Sequence, residues 1–127
     1  MSWIEANVNW ILIVTGIMTA SMIVYTFAPR FMVQYYFRET LDGTGPTMLA
    51  RSWGLLIFGI GLLLIYASGN EAVRLPVLIF ATLSKLAFAG MILGQGARMR
   101  KLPAGHTAIG DLIMAALFLW YLAATEL

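Results

Sequence analysis

Four runs of apolar residues, each closed by a short polar cluster, divide the chain: 6–28, 48–68, 74–96 and 106–125. Each matches the roughly 20 residues that a helix needs to cross the hydrocarbon of a bilayer. The runs are continuous and lack the period-two alternation of a half-buried strand. Extended backbone would also leave N–H and C=O groups unpaired in lipid, so the pattern predicts helices and excludes a transmembrane barrel. The connections 69–73 and 97–105 are short enough to force antiparallel neighbours. The expected fold is therefore all-α, one transmembrane domain over 1–127 built as an antiparallel four-helix bundle. The first run has no Lys or Arg before it and is longer than the apolar region of a signal peptide, so it is read as a retained helix.

The connection 29–47 is the only one with room for structure of its own. Its first half, Phe31-Met32-Val33-Gln34-Tyr35-Tyr36-Phe37-Arg38, is aromatic and basic together, which suits a segment lying at the headgroups. Its second half, Asp42-Gly43-Thr44-Gly45-Pro46, reads as a turn before the second helix.

Composition agrees with the membrane reading. Hydrophobic residues make up 61% and charged residues 11%, against about 25% charged in a soluble domain. With no cysteine and one histidine, thiolate sites, disulfides and two-imidazole sites are excluded, and no metal or cofactor is expected. The formal net charge is +2. Its basic residues gather in the connections: Arg30, Arg38 and Arg51 in or beside the first, Arg98, Arg100 and Lys101 in the third, and only Arg74 in the second. The positive-inside rule then makes the first and third connections cytoplasmic and puts both termini outside. The same residues account for the basic pI, so no nucleic-acid partner is implied. Trp3, Trp10, Trp53, Trp120 and Tyr121 fall near predicted helix ends, where amphipathic rings mark the boundary.

Lipid solvates leucine as well as another leucine does, so small residues mark the helix contacts. The packing candidates are Gly16 with Ala20 in helix one, Gly54, Gly59 and Gly61 in helix two, Gly90 and Gly94 in helix three, and Ala115, Ala116, Ala123 and Ala124 in helix four. Glycine faces left over from the bundle, on helix two or three, would serve a homo-oligomer or a membrane-complex partner.

Ionisable residues within the spans each cost on the order of 2.5–3.5 kcal/mol to insert and need a partner or a purpose. Lys85 is the deepest, on a stripe with Ala81, Thr82 and Ala89 that should turn inward. Asp111 lies about one turn into the predicted fourth helix, with Thr107, Ala108 and Ala115 on its face. Arg51 begins the second helix, and Glu5 shares a face of the first with Asn9, Gly16 and Thr19. Each helix thus supplies one ionisable residue and the signs balance. By depth, an Arg51–Asp111 bridge is expected, with Lys85 the odd one out. These residues serve either as a charge network fixing helix register or as a polar cavity in which Lys85 meets an anionic or carbonyl-bearing molecule. His106 is expected to stand exposed at the start of helix four.

The segments Arg51-Ser52-Trp53-Gly54-Leu55-Leu56 with Gly59 and Gly61, Arg74-Leu75-Pro76-Val77-Leu78, Ser84-Lys85-Leu86 and Gly110-Asp111-Leu112 resemble those of small bacterial membrane proteins of the DoxX-like group, over about residues 45–125. The resemblance implies a four-helix protein of the bacterial inner membrane and a polar set at Arg51, Lys85 and Asp111. Named members of that group are membrane subunits linked to quinone oxidation. Three functions stay open from the sequence. The first is a non-enzymatic subunit or scaffold for a partner protein or hydrophobic small molecule, with a possible quinone link. The second is an oligomeric transporter or channel lined by Lys85, and the third an enzyme acting on a lipid or quinone.

Overall fold

The structure is a computed structural model that describes residues 2–126, all of its regular elements helical. Helix α1 (Trp3–Ala20) tightens through a 3-10 turn at Ser21–Ile23 and continues as α2 (Val24–Phe27). The first connection folds into α3 (Pro29–Phe37), and α4 (Thr44–Ser68) follows a turn. A 3-10 turn at Glu71–Val73 leads into α5 (Arg74–Leu93), a five-residue helix α6 (Ala97–Lys101) forms the third connection, and α7 (Pro103–Glu126) ends the chain. Four stretches are long and apolar enough to cross a membrane: Trp3–Phe27, Thr44–Ser68, Glu71–Leu93 and Pro103–Thr125. The chain is a multi-pass, all-α membrane protein.

The ends differ from the sequence reading where turn residues prove helix-compatible. Thr44 and Pro46 lie in the first turn of α4, where a proline lacks no hydrogen bond it could have made. Pro103 opens α7 three residues earlier than expected. Gly96, at φ 110°, lets the chain turn sharply between α5 and α6.

The spans pack as two close pairs, α1 with α4 and α5 with α7, while the α1–α7 and α4–α5 seams are sparser. Glycine closes the first pair. A Cβ on Gly61 would strike the backbone of Gly16 and Ala20, one on Gly16 would lie 2.8 Å from the Gly61 carbonyl, and one on Gly54 would lie 2.8 Å from the Met22 carbonyl. Side chains at these points would push the helices apart. Gly59 and Gly90 do not pack within the chain, since an added Cβ at either meets nothing within 4 Å, and the nearest contact at Gly94 is its own helix's Gly90 carbonyl. These three therefore take no part in holding the bundle together.

One end of the bundle, carrying the termini, is filled by a cluster that includes Leu12, Leu64, Leu78 and Phe118, all fully buried. Arg74 binds that end together. Its guanidinium donates to the carbonyls of Ala67 (2.7 Å) and Ser68 (2.8 Å) at the close of α4, to Asn9 Oδ1 on α1 (3.0 Å) and to the Tyr121 hydroxyl on α7 (3.3 Å). One side chain so satisfies orphan helix-end carbonyls and touches every span. A smaller cluster of Ala89, Ile92, Met99, Ala104 and Ala108 seals the other, basic end. Between the two clusters the interior is hollow.

Candidate functional site

Lys85 and Asp111 reach the same height because their helices run antiparallel from equivalent distances. Lys85 lies eight residues before the end of α5 at Leu93, and Asp111 eight residues after the start of α7 at Pro103. Eight residues of helix measure about 12 Å, which puts both near the middle of the bilayer. The Lys85 ammonium donates to Asp111 Oδ1 at 3.0 Å and to the Thr19 hydroxyl at 2.9 Å. Lys85 is 6% and Asp111 16% exposed.

The expected Arg51–Asp111 bridge is therefore replaced by a Lys85–Asp111 pair. The early start of α7 carries Asp111 about 4–5 Å deeper than a helix beginning at residue 106 would, out of the level of Arg51 and into that of Lys85. Arg51 stays exposed and turns to α2, where its Nε donates to the Thr26 carbonyl at 2.9 Å. Glu5 and Asn9 also lie away from this pair. Glu5 accepts a hydrogen bond from the Ser2 hydroxyl at the start of α1, and Asn9 belongs to the Arg74 junction. Of the five polar residues singled out from the sequence, two meet.

Thr19 holds the ammonium from the opposite helix pair. Its hydroxyl donates to the Thr15 carbonyl at 2.7 Å and so presents its lone pairs to Lys85. The spacing of Thr15 and Thr19 along one helix face is a legible polar stripe, but nothing in sequence tied it to Lys85. Two of the three ammonium hydrogens are committed, and the pair uses only one of the carboxylate oxygens. One donor and one acceptor are left over.

They border a cavity of about 560 Å³ that all four spans line. Its polar wall includes Lys85, Asp111 and Thr19 with the side chains of Ser84, Thr107 and His106. The remaining walls are apolar, among them Ile57, Ile60 and Met114, and aromatic rings form the floor toward the basic end. There Tyr25 meets Trp53 edge-on at 4.8 Å and Tyr36 at 5.8 Å, and Trp53 lies 5.7 Å from Phe88. The aromatic connection expected at the headgroups thus sends one ring, Tyr36, into the cavity, while Phe31 and Tyr35 stay exposed. His106 is exposed, in the first turn of α7, and also reaches the cavity edge. The volume and lining, mostly apolar with a few converging polar groups, are those of a small-molecule site. Among the described residues, no group of three or more His, Cys, Asp and Glu is placed to hold a metal ion. Thr82, one turn before Lys85 and 3% exposed, keeps its hydroxyl without a partner.

No family model matches the chain, and no curated protein or solved structure matches it.

Proposed function

We propose that this chain is a binding subunit of the bacterial inner membrane that takes up a small amphiphilic molecule, its polar head at Lys85 and Asp111. The observation that carries the reading is the placement of this ion pair on the wall of a cavity of about 560 Å³. An ion pair that only fixed register would gain most from close packing on every side, because its desolvation is already costly. Here it borders open space in which a ligand group can complete its hydrogen bonds.

The pair is neutral as a whole, so it does not demand an anionic head. A head with one oxygen acceptor for Lys85 and one hydroxyl donor for Asp111 or a neighbouring hydroxyl satisfies what is left over. A quinol ring has this chemistry, in keeping with the resemblance to DoxX-like proteins. Binding is favoured over conduction because Leu12, Leu64, Leu78 and Phe118 fill the bundle on the terminal side of the cavity. The six basic residues at the first and third connections favour an orientation with the basic end in the cytoplasm and the termini outside. A periplasm-active reporter fused after the last residue should be active, and a cytoplasmic signal there reverses the orientation.

Purification into lipid nanodiscs followed by native mass spectrometry tests the binding. The parent chain should carry a small neutral molecule that Lys85→Met has lost, with size-exclusion profile and helix content unchanged. An equal load on folded Lys85→Met overturns the proposal.

A further inference from the structure

We infer that the ligand carries a single long hydrocarbon tail, which leaves the cavity sideways between α1 and α7 and lies along that seam toward the terminal end. This inference rests on the proposed head site at Lys85 and Asp111 and names the class of molecule it takes.

A second hollow, of about 270 Å³, runs between α1 and α7. Its lining includes Trp3 and Trp10 at the terminal end and Ile113 and Leu117 along the way, and the hydroxyl of its one threonine, Thr15, is already committed to the Ile11 carbonyl. It adjoins the first cavity, and Met18, Gly110 and Met114 line both. A polar pair thus stands on one side of the Met18–Gly110–Met114 boundary and a mostly apolar groove on the other, a sequence of surfaces that complements a polar head joined to an alkyl or isoprenoid tail that crosses there. It follows the sparser α1–α7 seam, where the bundle is open to lipid, and not the glycine-closed α1–α4 pair.

Gly110 marks the passage. A Cβ built there meets nothing within 4 Å, although the residue sits inside a helix and next to Asp111. Any larger side chain would project into the junction of the two hollows. Depth limits the head. At about 12 Å from the helix ends, a phosphate or other strongly hydrated group would be stripped of water with no net positive charge to receive it, so the head is a small neutral carbonyl or hydroxyl group.

The test uses two homologues of a hydroxyphenyl ketone, one with a methyl and one with a decyl chain on the carbonyl. Each is measured for binding in nanodiscs at matched mole fraction. The parent should bind both. Ile113→Trp, on the tail path and outside the lining of the head cavity, should bind the methyl homologue as the parent does and lose the decyl homologue by at least about tenfold, since the plugged passage has no room for a chain. Val14→Trp, from the facing helix and likewise outside the head cavity, should do the same and guards against a local defect peculiar to Ile113. Lys85→Met should weaken both homologues. Parent-like decyl binding in both passage variants overturns the tail path while the head site stands. Parent-like binding of both homologues by Lys85→Met, or no binding of either by the parent, overturns the head site and the tail path with it.

Discussion

Arg51 and Thr26 hold each other by two hydrogen bonds that run in opposite directions: Arg51 Nε donates to the Thr26 carbonyl and Thr26 Oγ1 donates to the Arg51 carbonyl, each at 2.9 Å. The contact ties the short continuation of the first span to α4 just where Gly54 allows close approach. Arg51 is thereby a brace and not a member of the polar site. Arg51→Met should cost about 0.6–1.5 kcal/mol, one intramembrane hydrogen bond. In a double-mutant cycle its effect should add to that of Asp111→Asn within about 0.5 kcal/mol. A larger coupling measured by detergent unfolding would restore the Arg51–Asp111 relationship.

Lys85 and Asp111 should behave oppositely in the same experiment. Removing either alone strands a buried charge, and Lys85→Met or Asp111→Leu should each lose roughly 3 kcal/mol or more. The double variant replaces the pair by apolar groups of similar reach and should recover to within about 1 kcal/mol of the parent, yet carry no ligand. A double variant as unstable as the singles would show that each residue has another indispensable partner.

The Thr82 hydroxyl offers a gain of stability. It is buried without a partner, and an unsatisfied hydroxyl costs about 1–3 kcal/mol. Thr82→Val keeps the shape of the side chain and removes the orphan. The variant should melt higher than the parent, by an amount equivalent to about 1 kcal/mol. A lower melting temperature would mean that the hydroxyl is used in the membrane.

Glycines that look alike in sequence should separate sharply on substitution. Gly61→Ile drives a branched side chain into the backbone of Gly16 and Ala20 and should abolish the monodisperse folded species. At Gly59 and Gly90 an added Cβ meets nothing within 4 Å, so Gly59→Ile and Gly90→Ile should fold normally. If those faces join copies of the chain, both should shift the size-exclusion profile toward the monomer. Unchanged crosslinking in both variants would leave the two glycines facing lipid.

The spans were legible in the sequence because twenty-residue apolar runs have few other uses. Lys85 and Asp111 were legible as residues in need of a partner, since charge in hydrocarbon is costly wherever it points. Their pairing was hidden by a single helix boundary. With the fourth span read from residue 106 and not from Pro103, Asp111 seemed too shallow by about three residues. Glycine periodicity could not say which of Gly54, Gly59 and Gly61 faces α1, because neighbours on one helix point to different sides and only the crossing selects among them. The Arg74 junction escaped for a different reason. Half of its partners are backbone carbonyls at the end of α4, and every sequence has carbonyls.

The two close pairs of the bundle are each made of successive spans, α1 with α4 and α5 with α7. Each can therefore form as a hairpin while the chain is still leaving the ribosome, before the other pair has entered the bilayer. The second hairpin contains both Lys85 and Asp111, so its midplane lysine enters hydrocarbon already paired and not as a stranded ion. Thr19 comes from the first hairpin. The last donor–acceptor contact of the site is then made when the two hairpins dock, and the hollow exists only from that moment. Assembly of the protein and creation of the cavity are one event, late in biogenesis.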